Sequence, residues 1–517
     1  MMNQPILEAD VVIIGGGVTG AAIARELSRY QLGTVLVEKG GELCAGQTKA
    51  SLGNIYTGLN LVGSMILKSV LLPPGTPLTE LYHPHTLHTK WCEEGFREWE
   101  SVLKELDIKH RYVPLTIIAK DENQIKNLEK IRDLGRQLGG LYADFERIDR
   151  KEILAREPNV NPEVVTALYA SRHVIDIFPP EVAIALAEKA VQNGCKILLN
   201  TEVIGILQNG PHQIVQTIRG PIRTNFIVNA ACGWGDKICD MAGGGRDWGL
   251  QYRKTVMIIL DTRCKGLVNG MVRWPNVPGR LDLVQRREDN ILIECGTYDP
   301  TNRPDDTYTI CEDVIKSMEM AKTIIPSISE KDIINTFTGV RVFNTRDVED
   351  HIVEFHPSNK KFLNVMIRLP GIIGALPMAR HVVGMIEEAG CKLVKKDDFH
   401  PYRKTIPRFR DLSDEVRNRL IGNDPRYGHV VCRCETVTEG QIVEAIKRGA
   451  STEEGIRMRT RAGMGRCKGG FCGPRVVKIL ARELKIPVTE VKKRSLDSPL
   501  LLCRSKELLL RNEKGIA

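Results

Sequence analysis

Residues 10–38 read DVVIIGGGVTGAAIARELSRYQLGTVLVE. Val11–Ile14 is a short β-branched run, GGGVTG is a turn, AAIARELSRYQ repeats its apolar residues at helical spacing, and Thr34–Glu38 is a second strand. Gly15, Gly17 and Gly20 form G-x-G-x-x-G between strand and helix, the context in which that spacing has physical meaning. Gly15 permits the tight turn, Gly17 lets a pyrophosphate approach the backbone, and Gly20 lets the helix pack on the sheet. Val18 and Thr19 open that helix, whose first N–H groups face the phosphates. Glu38 stands where a carboxylate accepts from ribose hydroxyls, followed by Lys39. An acid here disfavours a 2′-phosphate and suits NAD and FAD alike, so these residues alone leave both open.

Outward from this unit, residues 43–60 are rich in Gly, Ser, Thr and Asn and read as an extended loop. Residues 91–106, 121–139 and 181–193 carry helical periodicity, 252–297 turns β-rich, and a helix is expected near 311–324. The glycine-rich LPGIIGALPMARHVVGMIEEAG closes a first domain near residue 395. Residues 396–429 are charged and proline-punctuated and read as a surface linker. A chain of 517 residues is too long for one ordinary core. No apolar run approaches the roughly 18–20 residues that span a bilayer. The first apolar stretch lacks the flank and cleavage site of a signal peptide, so a cytoplasmic protein is expected, with peripheral membrane association left open.

Fourteen cysteines in such a chain point to reduced thiols with a few metal ligands rather than a disulfide framework. Cys432-x-Cys434 and Cys467-xxxx-Cys472 supply four thiolates, a set that suits a 2Fe–2S cluster or structural zinc. Three features favour iron: the short first spacing, the glycines of GMGRCKGGFCGPR that admit N–H groups to the sulfides, and a helix starting just behind. From Cys432 onward there are 19 Lys and Arg against 10 Asp and Glu, which accounts for the whole net charge of +9. Phe471 is the sole aromatic residue of that stretch. A nucleic-acid footprint is one reading of a basic module, but without interleaved aromatics the better reading is compensation for an anionic cluster plus a docking face for an acidic partner, with no nucleic acid expected.

The segments VVIIGGGVTGAAIARELSRY…VLVEK, ALAEKAVQNGCKILLNTEVIGI, VNAACGWGDKI, PGIIGALPMA, FHPYRKTIPRFRDLSDEVRNRLI and RYGHVVCRCETVTEGQI resemble the D-amino-acid-oxidase-like flavoproteins, and within them the anaerobic-type FAD-dependent glycerol-3-phosphate dehydrogenases. The C-terminal cysteine segment resembles the bacterioferritin-associated-ferredoxin-like 2Fe–2S domain. The resemblance covers nearly the whole chain. It implies an α/β fold: a Rossmann-like FAD-binding domain with an inserted, mainly antiparallel β substrate domain, then a small, mostly helical 2Fe–2S domain. The expected bounds are 1–395 for the oxidoreductase domain, with insertions about 50–150 and 246–335, then 396–429, 430–495, and a tail at 496–517 that reads as a short amphipathic helix. FAD contacts carry over to Gly46, Thr48, Ala50 and Ser51 in the flavin loop. At the adenosine end they carry over to Val203 and Ala230. At the ring they carry over to the glycine-rich turn of Gly371, Ile373 and Gly374.

The resemblance also implies oxidation of a small anionic alcohol, with electrons leaving FAD through the cluster to a partner subunit or quinone-linked acceptor in an oligomer or multi-subunit complex. Arg341 matches the arginine that clamps a carboxylate or phosphate; a planar fork suits that task. Departures cluster around the substrate. Tyr56 stands where the family has a histidine, Thr255–Met257 replaces a Gly-Glu-Tyr strand, and Cys232 takes a glycine position. Tyr56 is the expected proton acceptor or substrate hydrogen-bond donor. Another hydroxy acid, sugar-like alcohol or secondary amine, or a non-catalytic electron-transfer role, stays open beside the glycerol-3-phosphate reading. His351 and His356 read as structural.

Overall fold

The structure is a computed structural model that describes residues 7–56, 86–138, 143–274, 280–347, 350–369 and 371–508. Strand Leu7–Ile14 runs parallel to Thr34–Val37 on one side and to Gly220–Asn229 on the other. Lys196–Leu198 and Asn359–Met366 extend this sheet in parallel, and Ile352–His356 closes one edge antiparallel. Val11, Val12 and Ile13 are fully buried because helices cover both faces of a parallel sheet. The helices Val18–Leu27, Pro179–Gln192 and Gly371–Glu388 pack along it, with fully buried Ala21, Ala24, Ala183 and Ala187 allowing close approach.

The second sheet has the strand order 333–344, 250–260, 291–301, 280–285, 271–274, 111–119, 166–176, 54–56, and 146–149 pairs beside 166–176. All its pairings are antiparallel except Met271–Trp274 against Arg111–Ala119. It is wider than the expected insertions, because Thr166–Asp176 joins Arg111–Ala119 to the loop strand Asn54–Tyr56, and the last strand runs on to Asn344. One face packs Val256, Ile258, Leu281, Leu283 and Ile293 against the helix Cys311–Ile324. The other face turns toward the first domain.

Helices fall close to their expected places, at Leu87–Glu105, Glu122–Leu138, Pro179–Gln192 and Cys311–Ile324. Two stretches differ. The segment around Gly371–Gly374 is the first turn of a helix rather than a turn. Pro377 lies inside that helix, lacks an N–H, and so frees the carbonyl of Ile373. The indole N–H of Trp99 donates to Ile373 O and Ile372 O, both at 3.0 Å, and satisfies it. The expected linker holds a helix at Asp414–Asn423, capped by Ser413, and is anchored by Arg403 to Glu188 at 2.6 Å.

The cysteine domain packs helices Glu439–Lys447, Glu453–Thr460 and Gly473–Leu484 around Ile442, Ile456, Val476 and Leu480. The tail is helical at 505–508; the rest of the expected amphipathic helix lies outside the described residues.

Candidate active site and cluster site

Gly15 has φ +114°, and a Cβ there would lie 2.5 Å from Ala230 O. A Cβ on Gly20 would overlap Gly15 O, so the helix can sit this close to the strand only with glycine at both positions. Glu38 accepts from Gly16 N–H through Oε2 and from Gly40 N–H through Oε1, both at 2.7 Å. Each oxygen keeps a second lone pair, so the carboxylate braces the turn and can still accept from a ribose. The hydroxyl of Thr48 accepts from Val18 N–H at 3.1 Å and stands at the helix N-terminus, where the first N–H groups converge. Lys39 lies over the Trp234 ring at 3.5 Å.

Ala230 N–H donates to Ile14 O at 2.9 Å, and Val203 is buried beside the same sheet edge. Cys232, at the family's glycine position, has φ +51°, the left-handed backbone that glycine would adopt without strain. Burial pushes its thiol up to about 11. Ala50 touches the substrate sheet at Gly339, where a Cβ would meet Ala50 Cβ and O at 3.1 Å. Ser51 N–H donates to Thr48 O at 3.3 Å. Gly46 is exposed with open space around it, so nothing in the structure requires glycine there. Gly374 lies against Trp91, 3.3 Å from a Cβ, and Gly371 begins the same helix. These contours, a turn and helix start with no room for side chains and a carboxylate behind them, fit the dinucleotide half of FAD.

The face of the substrate sheet that meets Ala50 carries charge. Directly paired residues share a face, so Met257, Glu294, Asp282 and Arg273 form one row, with Thr255 and Gly339 in the next and Arg253 and Arg341 in a third. Arg341 Nη2 donates to Glu294 Oε1 at 3.0 Å, in a fully desolvated pair. Arg273 grips Asp282 with two bonds, Nε to Oδ1 at 2.7 Å and Nη2 to Oδ2 at 3.1 Å. Its guanidinium lies 5.6 Å from the centre of the Tyr56 ring. Among the described residues, Arg341 Nε, Arg273 Nη1 and Thr255 Oγ1 are buried without a hydrogen-bond partner. An unpaired buried N–H is unfavourable by about 1–3 kcal/mol, which marks these atoms as groups that wait for an acceptor.

Arg341 is one of two buried arginines on this face, each ion-paired to a carboxylate. Arg273, Asp282 and Glu294 escaped the sequence reading. Their signal was a single charge inside an apolar strand: MVRW, LDLV and ILIEC.

His351 stacks on Trp91 at 5.2 Å, and its Nδ1 accepts from Arg368 N–H at 3.0 Å. Burial, then the Arg368 charge, lowers its pKa to about 3, and His88 beside it is held neutral in the same way. Trp91, on which His351 stacks, is the side chain that lies against Gly374 of the Gly371 helix. His356 is fully buried near the sheet edge, with its Nδ1 toward Ser358.

In the C-terminal domain the four cysteines stand as two pairs. Cys434 and Cys467 have their sulfurs 3.8 Å apart, both exposed. Cys432 and Cys472 are buried and share a hydrogen bond, which holds Cys432 below the usual thiol range and pushes Cys472 up. N–H groups of Gly463 and Glu435 face Cys432, and those of Phe471 and Gly469 face Cys467, so both thiolates are favoured. Two thiolates on one tetrahedral metal, with bonds of about 2.3 Å, lie about 3.8 Å apart. Among the described residues, no three or more His, Cys, Asp or Glu side chains gather as the ligand set of one ion. The Cys434–Cys467 pair is sized for one metal, and with the hydrogen-bonded pair Cys432 and Cys472 it makes a four-thiol set that fits a two-iron centre.

This domain is keyed to the flavin loop. Glu42, buried, accepts from Ser451 N–H at 3.1 Å, Thr452 Oγ1 at 3.0 Å and Arg459 Nη1 at 2.9 Å. Lys49 pairs with Glu454 at 2.9 Å, and Cys44 Sγ meets Met458 Sδ at 3.7 Å. Arg461 joins Glu435 at 3.0 Å and Glu288 at 3.9 Å. Arg466 holds Asp261, at the end of the substrate-sheet strand, at 2.6 and 3.0 Å.

A dinucleotide turn facing a charged substrate sheet, joined to a four-thiol domain, defines a flavoprotein oxidoreductase with an iron–sulfur module. Residues 10–385 match the family described as FAD dependent oxidoreductase, and residues 430–482 match the BFD-like [2Fe-2S] binding domain. The chain is 34% identical over 489 residues to a glycerol 3-phosphate dehydrogenase of Caloramator mitchellensis, covering 94% of this chain and 96% of that one. It is 24% identical over 532 residues to one subunit of the anaerobic glycerol-3-phosphate dehydrogenase of Escherichia coli K12, covering 93% of this chain and 90% of that one. Among solved structures, the FAD-bound L-alpha-glycerophosphate oxidase of Mycoplasma pneumoniae matches with a TM-score of 0.68 and 25% identity, over 78% of this chain and 100% of that one. The chain belongs to the FAD dependent oxidoreductase family and carries a C-terminal BFD-like [2Fe-2S] binding domain. It is an enzyme whose cofactors are FAD and a 2Fe–2S cluster.

Proposed function

We propose that the enzyme oxidises glycerol 3-phosphate, or an alcohol closely like it, at the C2 hydroxyl, and passes the electrons outward to a partner subunit or quinone-linked acceptor. When bound, FAD accepts the hydride equivalent and the 2Fe–2S cluster relays single electrons. The observation that carries the substrate reading is the pair of ion pairs Arg341–Glu294 and Arg273–Asp282 on one sheet face, with, among the described residues, one buried, unpartnered N–H on each guanidinium. A ligand that is anionic at one end and hydroxylated along its length suits such a face: phosphate oxygens accept from the arginines, and hydroxyls donate to the carboxylates. Tyr56, beside Arg273, is the group we assign to the reacting hydroxyl, as hydrogen-bond partner or proton acceptor. The relatives named for glycerol 3-phosphate support the reading, and those named as one subunit of an anaerobic dehydrogenase support a multi-subunit complex.

FAD would be held by Gly15, Gly17, Val18, Thr19, Gly20, Glu38, Lys39, Thr48, Ala50, Ser51, Val203, Ala230, Gly371, Ile373 and Gly374, and the cluster by Cys432, Cys434, Cys467 and Cys472. Anaerobic mixing with glycerol 3-phosphate should bleach the flavin absorbance, whereas glycerol, which lacks the anion, should bleach it far more slowly. Bleaching by glycerol and glycerol 3-phosphate at equal rates would overturn the anion-clamp reading.

A further inference from the structure

The cysteine domain meets the rest of the chain with its charges matched. Arg459 is paired with Glu42, Arg461 with Glu435 and Glu288, and Arg466 with Asp261. Its exposed edge is different. Phe471 is 41% exposed, unusual for so large an apolar ring. Arg433 lies over that ring at 4.6 Å and Arg475 at 4.5 Å. Both arginines are exposed, and among the described residues neither has a carboxylate partner. Arg433 sits between Cys432 and Cys434, and Phe471 precedes Cys472, so the patch borders the exposed sulfurs of Cys434 and Cys467.

We propose that Phe471, Arg433 and Arg475 form the docking surface for an acidic electron-acceptor protein, which takes single electrons beside the exposed thiolate pair Cys434–Cys467. This inference rests on the reading that electrons leave through the cluster. Cation–π contact holds two guanidiniums around an apolar centre, a layout that complements an apolar spot rimmed by carboxylates. Electron-transfer encounters bury little surface, so one aromatic ring and two cations can supply the middle of such an interface. Arg433 and Arg475 therefore differ from Arg459, Arg461 and Arg466, whose charges are taken up by carboxylates within the chain.

The test uses the full-length holoenzyme and two probes of opposite charge, an acidic plant-type ferredoxin and basic cytochrome c. Binding of the acidic ferredoxin is measured across a salt series by surface plasmon resonance. The expected result is binding that weakens as salt rises, little binding of cytochrome c, and a loss of about tenfold or more in ferredoxin affinity for Arg433→Glu/Arg475→Glu. Iron content and glycerol 3-phosphate bleaching of the flavin should stay as in the wild type. Wild-type ferredoxin affinity in that variant, with iron intact, or equally tight binding of cytochrome c, would overturn the proposal.

If charge reversal beside Cys434 lowers iron content, Phe471→Ser/Arg475→Glu, which leaves Arg433 in place, decides on the same two criteria. Failure of the substrate reading would register separately, as flavin that glycerol 3-phosphate does not bleach. Ferredoxin binding to the dithionite-reduced protein would still report on the surface.

Discussion

The nucleotide end and the substrate face lie against one another at Ala50 and Gly339, yet they are built in opposite ways. The nucleotide end is made of absences: Gly15 and Gly20 have no side chain because backbone fills the space, and the carboxylate of Glu38 braces the turn with both oxygens. The substrate face is made of excess. Two buried arginines and two buried carboxylates stand on this sheet face as ion pairs, where losing either partner would leave a strongly unfavourable buried charge. Cofactor binding needs a contour that never changes, and glycines supply it. Selecting a small polar substrate needs buried donors and acceptors that only the right ligand completes.

If the contour is what matters at the nucleotide end, the largest effect should come from filling it. Gly20→Val should abolish FAD retention, because its Cβ overlaps Gly15 O and the helix start must move. The protein should purify without flavin absorbance but with iron in the cysteine domain. Retained FAD would show that the close approach is dispensable.

The flavin loop complicates a simple two-site view. The loop that follows Glu38 reaches the cysteine domain through Glu42. Glu42→Ala leaves Arg459 buried and unpaired, which should destabilise the docked domain by about 3–5 kcal/mol. Limited proteolysis between residues 396 and 412 should speed up, and FAD should be held less tightly, since coupling between two sites is reciprocal. Unchanged proteolysis would mean that the interface does not depend on this hub.

The substrate face is tested by changing fork geometry at constant charge. Arg341→Lys and Arg273→Lys should each slow flavin reduction by glycerol 3-phosphate roughly ten- to a hundredfold, on the order of 1.5–3 kcal/mol, and leave dithionite reduction alone. An effect at Arg341 with none at Arg273 would reduce the two arginines to a single clamp.

The same contrast explains what could be read from the sequence. The nucleotide turn is contiguous, so strand, glycines, helix and acid follow one another within residues 10–38, and local sterics dictate the rest. The cysteine spacing is equally local. The substrate face is assembled by register across strands 250–260, 271–274, 280–285, 291–301 and 333–344, and no short window holds it. Lone charges in MVRW, LDLV and ILIEC were visible, but their pairing is a property of the sheet. Glu42 gave no local signal at all, because Ser451 and Arg459 lie some four hundred residues away. The helix at Gly371 was misread as a turn because glycine and Pro377 suggest breakage, and the rescue by Trp99 comes from a distant helix.

The smallest expected effect concerns the histidines behind the ring end of the site. His351 Nδ1 accepts the N–H of Arg368, which requires that nitrogen to be unprotonated, and burial with the Arg368 charge lowers its pKa to about 3 from 6.5. In the unfolded chain the same histidine binds a proton as pH falls through 6.5. The unfolded state therefore holds more protons than the native state between pH 6.5 and 3, and stability falls as pH falls through that window. At pH 5 the loss should be about 2 kcal/mol from this residue alone. His351→Asn keeps an acceptor near Arg368 N–H but cannot titrate. Its stability in urea should be lower than wild type at pH 7.5, and the difference should narrow toward pH 5. A gap that stays constant across that range would mean that His351 is protonated in the native protein, and that its Nδ1 does not accept from Arg368 N–H.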